Sequence, residues 1–226
     1  MDALILADGD GPARDELDRA WPGWNASIGL VIAADGGARL AGPLGVRIDR
    51  WVGDGDSLGE EALARLETLG VPIERANSEK DESDTELAVR AALREGAGGI
   101  VIVGGLGGRR IDHALANIGL LAMPELADRG AVILDGRSRL TLIQAPDAAG
   151  RAVDRPLPGR TGDVVSLLPV GPGVDGVTTR GLEYALVNEP LPVGAARGLS
   201  NVRTDADAGV TVKAGSLLVV ESPATL

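Results

Sequence analysis

The sequence predicts an α/β N-terminal domain with a mostly parallel sheet flanked by helices, joined to a C-terminal all-β, sandwich-like domain. Two rhythms carry that expectation. Up to about residue 130, short apolar runs alternate with stretches that repeat apolar residues every three or four positions, the strand-then-helix pattern of a parallel sheet covered on both faces. Beyond about residue 131 the apolar runs are separated by turn residues alone. A third observation is the Pro-, Gly- and Arg-rich stretch "APDAAGRAVDRPLPGRTG" (145–162), which reads as the connector and divides the chain into 1–145 and 146–226.

In the first half the expected strands are "ALILA" (3–7), "IGLVIAAD" (28–35), "RWVGD" (50–54), "VPIERA" (71–76) and "GIVIVGG" (99–105). "EEALARLETL" and "DTELAVRAALREG" lie between the later runs and "IDHALANIGLLAMPELADRG" follows the last, all with helical spacing. In the second half the expected strands are "AVILD", "RLTLIQA", "DVVSLLPV" and "GVTTRGLEYALV". "GVTVKAGSLLVV" reads as a hairpin turning at Ala214 and Gly215.

With 226 residues, 44% of them apolar, the chain has the means to build a real core. Its formal net charge of −11 argues against nucleic acid and anionic membranes as partners, because both require a basic footprint. The absence of cysteine removes thiolate nucleophiles, disulfides and cysteine-based zinc sites. The N-terminal run is short and lacks a basic flank, and no stretch reaches membrane-spanning length, so a cytoplasmic protein is expected.

Ligands of open parallel sheets bind beyond the carboxyl ends of the strands, which directs attention to the residues that follow each run. Asp35 with Gly36 and Gly37, Asp54 and Asp56 of "GDGDS", "NSEKDESDTE", and "GGLGG" with Arg109 and Arg110 all occupy such positions. Two aspartates one residue apart repel unless something positive lies between them. In extended chain they point the same way and can hold one hard cation, and Mg2+ suits oxygen ligands and substrate phosphates. Asp81 and Asp84 would complete its shell, while Lys80 and the arginines would hold phosphate oxygens. Some of these residues also have plain structural readings. "SDTE" fits a helix capping box, and the single histidine, His113, sits where a hydrogen-bonded structural group would also sit.

Four motifs in order, "ADGGARL" (34–40), "VGDGDSL" (52–58), "EKDESDTELAV" (79–89) and "GGRRIDHALANI" (107–118), resemble those of the thiamine pyrophosphokinases, with a fifth in "GLEYALVNEPLPVGAARGLSN" (181–201). The resemblance implies a catalytic α/β domain, a β-sandwich for substrate binding and dimerisation, and a homodimer. It also implies transfer of the diphosphoryl group of ATP to the hydroxyethyl arm of thiamine, with AMP as the other product. Carried onto this chain, it makes Asp54, Asp56 and Asp84 the Mg2+ ligands and puts Asp35, Lys80 and Asp81 around the nucleotide. Asp112 and His113 would close the phosphate end, and Ser200 and Asn201 would line the thiamine pocket. Two residues separate Arg109 from Asp112 where the family has one, so either Arg110 takes the arginine role or the loop is one residue longer. Asp81 or Asp84 would orient the acceptor proton. The rival readings are a pyrophosphokinase for another hydroxymethyl heterocycle such as a pterin, a D-x-D nucleotide-sugar transferase, and a nucleotide-binding regulatory module.

Overall fold

The computed structural model describes residues 1–77, 79–127 and 129–224, in two compact units, Met1–Gly136 and Arg137–Leu226. In the first unit β1 (Asp2–Leu6), β2 (Ile28–Ala34), β3 (Arg50–Gly53), β4 (Ile73–Arg75), β5 (Gly99–Val103) and β6 (Gly130–Leu134) are all parallel, in the order β4-β3-β2-β1-β5-β6. Its core gathers Leu4 and Leu6 of β1, Val101 and Val103 of β5, Trp51 of β3 and Leu63 of α3 (Glu60–Thr68). The central strands carry no alternation because both of their faces are covered.

The sheet is entered at β1 and grows through β2, β3 and β4 to one side. The chain then returns to place β5 and β6 on the other side. The switch point therefore falls between β1 and β5, where open α/β sheets bind ligands. Helix α4 (Asp84–Arg94) makes the return and packs over β1, β2 and β3 through Ala88, Val89, Ala91 and Ala92. Its N-terminus is fixed by Ser83, whose Oγ accepts the Glu86 amide at 3.1 Å. The Glu86 carboxylate turns to Arg90 instead of back to the cap, so half of the expected capping box forms. Helices α1 (Arg14–Ala20), α2 (Ala41–Leu44) and α5 (Ile111–Leu120) complete the unit, with a 3-10 segment over Asp35–Leu40.

The second unit contains β7 (Arg139–Ala145), β8 (Val153–Pro156), β9 (Val164–Arg180), β10 (Glu189–Leu191), β11 (Asn201–Val202), β12 (Gly209–Val212) and β13 (Ala214–Ser222). Its strands pair antiparallel in the order β7-β13-β9-β12-β8, with β10 and β11 also on β9. β7 also approaches β8 and β12, so the layer curls over a core that includes Ile143, Val165, Leu167, Val177, Val210 and Leu217. The stretch read as a connector lies inside this unit and supplies β8.

Three expectations are corrected. Over the whole chain the strands are mixed, parallel in the first unit and antiparallel in the second, so "mostly parallel" holds for the first unit alone. Ala214 and Gly215 make no hairpin: β12 and β13 form one nearly continuous extended run beside β9, with Gly209 opposite Arg180, Ala214 opposite Asp175 and Ser222 opposite Val164. The run "DVVSLLPV" and the "GVTTR" that opens the next expected strand form a single 17-residue strand through Gly171 to Gly173, and the excess residues are absorbed as a bulge opposite Gly215 and Ser216.

One buried charge network braces this unit. Glu221 accepts from Arg139 Nε and Nη2 and from Arg203 Nη2, each at 2.8 Å, and Arg203 is 1% exposed. Removing the carboxylate charge would leave the buried Arg203 guanidinium without its counter-ion in a low-dielectric interior. Glu221→Gln is therefore expected to destabilise the second unit by about 3–5 kcal/mol, read from denaturant unfolding followed by circular dichroism.

Candidate active site

Each of the first five strands delivers residues to one edge. Asp8 and Gly9 follow β1, Asp35 ends β2, Asp54 and Ser57 follow β3, Lys80 to Thr85 follow β4, and Gly104 to Arg110 follow β5. All of these but Asp81, Gly105 and Leu106 line a cavity of about 440 Å3, with His113 and Asn117 of α5 closing it.

Carboxylate oxygens of Asp35, Asp54 and Asp84 lie within 4.8 Å of one another. Asp35 is 2% exposed and sits at φ 41°, a strained conformation for a residue with a side chain. It is held there from both ends. The Ser57 and Leu58 amides donate to its carboxylate at 2.9 and 3.2 Å, and Trp51 Nε1 donates to its carbonyl at 3.0 Å. Gly53 makes the approach possible, since a Cβ there would lie 2.9 Å from that of Asp35. Arg39 straps the same region, donating to the Ser57 carbonyl at 2.9 Å and pairing with Asp8 at 2.7 Å.

Lys80 is the cation among these acids. Its Nζ is 2.6 Å from Asp84 Oδ1 and 3.6 Å from Asp54 Oδ2. Burial pushes the Asp84 carboxyl above its ordinary pKa, and the charges of Asp54 and Asp35 add to that push; the Lys80 hydrogen bond and charge offset only part of it. Burial alone would lower the Lys80 pKa, yet the hydrogen bond and charge of Asp84, joined by Asp54, hold it above the usual lysine value. Three carboxylates facing one ammonium leave negative charge in excess. This hard-oxygen donor set fits a small divalent cation such as Mg2+.

The placement of the expected residues differs in part from the sequence reading. Asp35, Asp54, Lys80, Asp84, Arg109, Arg110 and His113 all line the cavity. Asp56 does not. Beyond β3 the chain turns at Gly55, φ 92°, so the extended geometry that would align two aspartates is lost, and Asp56 faces solvent while its amide donates to Asp54 Oδ1 at 3.0 Å. Asp35, read from sequence as a nucleotide contact, takes the third carboxylate position instead. Asp81 is exposed and outside the lining, where Glu82 is found. Asp112 is exposed and paired with Arg110, whose hydrogen bond holds its carboxyl below the ordinary range.

Ser200 and Asn201 belong to the second unit. Asn201 is buried and clasps Tyr184, accepting from its amide at 2.9 Å and donating to its carbonyl at 2.8 Å. Ser200 is exposed, and its amide donates to Ser166 Oγ. Sequence reasoning missed Asp8, Ser57, Glu82, Thr85 and Asn117. Asp8 was within reach of the same rule that found Asp35, since it directly follows the first apolar run. Asn117, whose Nδ2 donates to the Gly105 carbonyl at 3.0 Å, carries no local signal.

Fold and site together define a two-unit α/β and β protein with an acidic, cation-ready cavity at a parallel-sheet switch point. The profile described as "Thiamin pyrophosphokinase, catalytic domain" matches residues 23–134, and "Thiamin pyrophosphokinase, vitamin B1 binding domain" matches 152–219. The chain belongs to the thiamine pyrophosphokinase family. It is 25% identical over 170 residues to the thiamine pyrophosphokinase of Bacillus subtilis (strain 168), spanning 75% of this chain and 76% of the relative. The crystal structure of the Geobacillus thermodenitrificans thiamin pyrophosphokinase superposes with a TM-score of 0.77 at 26% identity, covering 100% of this chain and 99% of that one. Thiamin pyrophosphokinase from Candida albicans, at 16% identity, shares the fold with a TM-score of 0.75 over 98% of this chain and 89% of its own. None of these matches points to a pterin or a sugar nucleotide.

Geometry separates the aspartates by position. Asp35→Asn is expected to weaken Mg2+ binding by tenfold or more, whereas Asp56→Asn changes it by less than about threefold, both read by calorimetric titration. Proton and cation compete for Asp84, so affinity in the wild type falls on acidification, and the raised pKa places the onset of that fall above the ordinary carboxylate range.

Proposed function

We propose that the protein transfers the diphosphoryl group of ATP to the hydroxyethyl group of thiamine, giving thiamine diphosphate and AMP, with Mg2+ held by Asp35, Asp54 and Asp84. One observation carries this reading: three carboxylates, Lys80 and two arginines meet in one cavity of the unit matched by the catalytic profile, and the other unit matches a vitamin B1-binding profile. Bound Mg2+ would neutralise phosphate charge as the diphosphoryl group moves.

The chain's own groups do the rest. Lys80, Arg109 and Arg110 hold phosphate oxygens as donors in a cavity otherwise acidic. The acceptor hydroxyl oxygen bonds to the β-phosphorus, the bond from that phosphorus to the α,β-bridging oxygen breaks, and AMP leaves with that oxygen. Asp84 lines the cavity while Asp81 faces solvent, which favours Asp84 as the carboxylate that orients the hydroxyl proton.

In the second unit Tyr184 is the one aromatic residue, 54% exposed on a backbone clasped by Asn201. Such a held ring can stack on thiamine, whose thiazolium carries a fixed positive charge. Val187, Val193 and Leu199 are exposed in the same segment, which supports a homodimer formed through this unit. No helix among the described residues is long and apolar enough to cross a membrane. The cytoplasm is the proposed setting.

Incubation with ATP, Mg2+ and thiamine is expected to give AMP and thiamine diphosphate in equal amounts, resolved by chromatography. Formation of ADP, or AMP release that ignores thiamine, would refute the reading. Tyr184→Ala is expected to raise KM for thiamine about tenfold with KM for ATP unchanged. Light scattering is expected to give a mass twice the 23.0 kDa of one chain.

A further inference from the structure

Lys80 stands where a phosphate-binding lysine and a metal site cannot both be satisfied. Its ammonium lies 2.6 Å from Asp84 and 3.6 Å from Asp54, two of the three carboxylates that converge within 4.8 Å. At 2.6 Å the ammonium takes up a lone pair of Asp84 that a divalent cation would use, at 3.6 Å it pairs with Asp54 by charge alone, and its positive charge repels such a cation at close range. The side chain is 13% exposed, so solvent screens that repulsion only weakly.

The local backbone gives Lys80 no support of its own. It lies four residues before Asp84, the first residue of α4, and a helix N-terminus favours anions and disfavours cations. Among the described residues, the ammonium's ion pairs are with these two carboxylates. Once they are engaged by another cation, the four-carbon stem is free to carry the charge into the remainder of the cavity, which Arg109, Arg110 and His113 also line.

We propose that Lys80 is a displaceable counter-ion: its ammonium neutralises Asp54 and Asp84 in the free protein, and the divalent cation expels it toward the nucleotide phosphates. This rests on the assignment of the three carboxylates as the cation site. Lys80 thereby couples two binding events. The cation frees the phosphate ligand, and by reciprocity an occupied phosphate site keeps the ammonium away from the carboxylates and tightens cation binding. The protein carries its own substitute for the metal, which keeps the three clustered acids together before substrates arrive.

The consequence runs against the usual effect of deleting an active-site residue. In the absence of nucleotide, Lys80→Met is expected to bind Mn2+, followed by electron paramagnetic resonance, at least about tenfold more tightly than wild type. The same variant is expected to lose affinity for ATP. Lys80→Arg keeps the charge and is expected to bind Mn2+ no more tightly than wild type, which separates charge from side-chain bulk. Lys80 and Lys213 are the two lysines of the chain, so 15N-lysine labelling leaves two side-chain ammonium signals to follow. Mg2+ is expected to shift that of Lys80 and leave that of Lys213.

Equal or weaker Mn2+ binding by Lys80→Met, with binding abolished in Asp84→Asn, would overturn the counter-ion role and leave the cation site standing. Binding undiminished in Asp84→Asn, or absent from both wild type and Lys80→Met, would overturn the cation site itself and the proposal with it.

Discussion

The capture of the Asp35 carboxylate by the Ser57 and Leu58 amides is the contact on which the site depends. It joins the end of β2 to the turn after β3, and so sets the distance between two of the three acids. A buried carboxylate satisfied by backbone donors tolerates like-charged neighbours that it could not otherwise tolerate. The strain at φ 41° persists because hydrogen bonds hold both the side chain and the carbonyl of the same residue. Arg39 then fastens the turn from the outside and brings Asp8 to the cavity rim.

Acidic crowding explains why the surroundings look as they do. Trp51, Gly53 and the buried carboxyl ends of β1, β2 and β3 supply a rigid floor, so repulsion cannot be relieved by moving the carboxylates apart. Relief comes instead from Lys80 and from raising the proton affinity of Asp84, the acid nearest that ammonium. Packing and electrostatics are one problem here. A looser sheet edge would disperse the acids.

Much of the first unit was legible in the sequence because parallel strands buried on both faces are bare apolar runs, and each of the five expected runs contains a strand. Helix α1 escaped notice because "RDELDRA" buries little beyond Leu17 and Ala20. In the site, the rule of looking beyond each strand led to the loops that line the cavity, and turn geometry decided which acids face it. Asp56 lies outside the carboxylate cluster because Gly55 turns the chain, and Asp35 joins the cluster through a backbone grip that spacing does not encode. The second unit was least legible in its pairing. Runs rich in valine and leucine announce strands but not registers, so a straight passage through Ala214 and a bulge at Gly171 to Gly173 looked like turns.

Strand β9 acts as a spine for the second unit. The 181–200 excursion leaves β9 after Arg180, touches it again through β10, and returns to it through β11, with a bridge from Leu182 to Arg203 closing its base. Leu182, Leu186 and Leu191 anchor this excursion in the core, while its exposed residues, Tyr184, Val187, Val193 and Leu199, can be exchanged without disturbing any register. Evolution can therefore retune the surface that carries Tyr184 while the framework that keeps the domain folded stays out of reach of those changes.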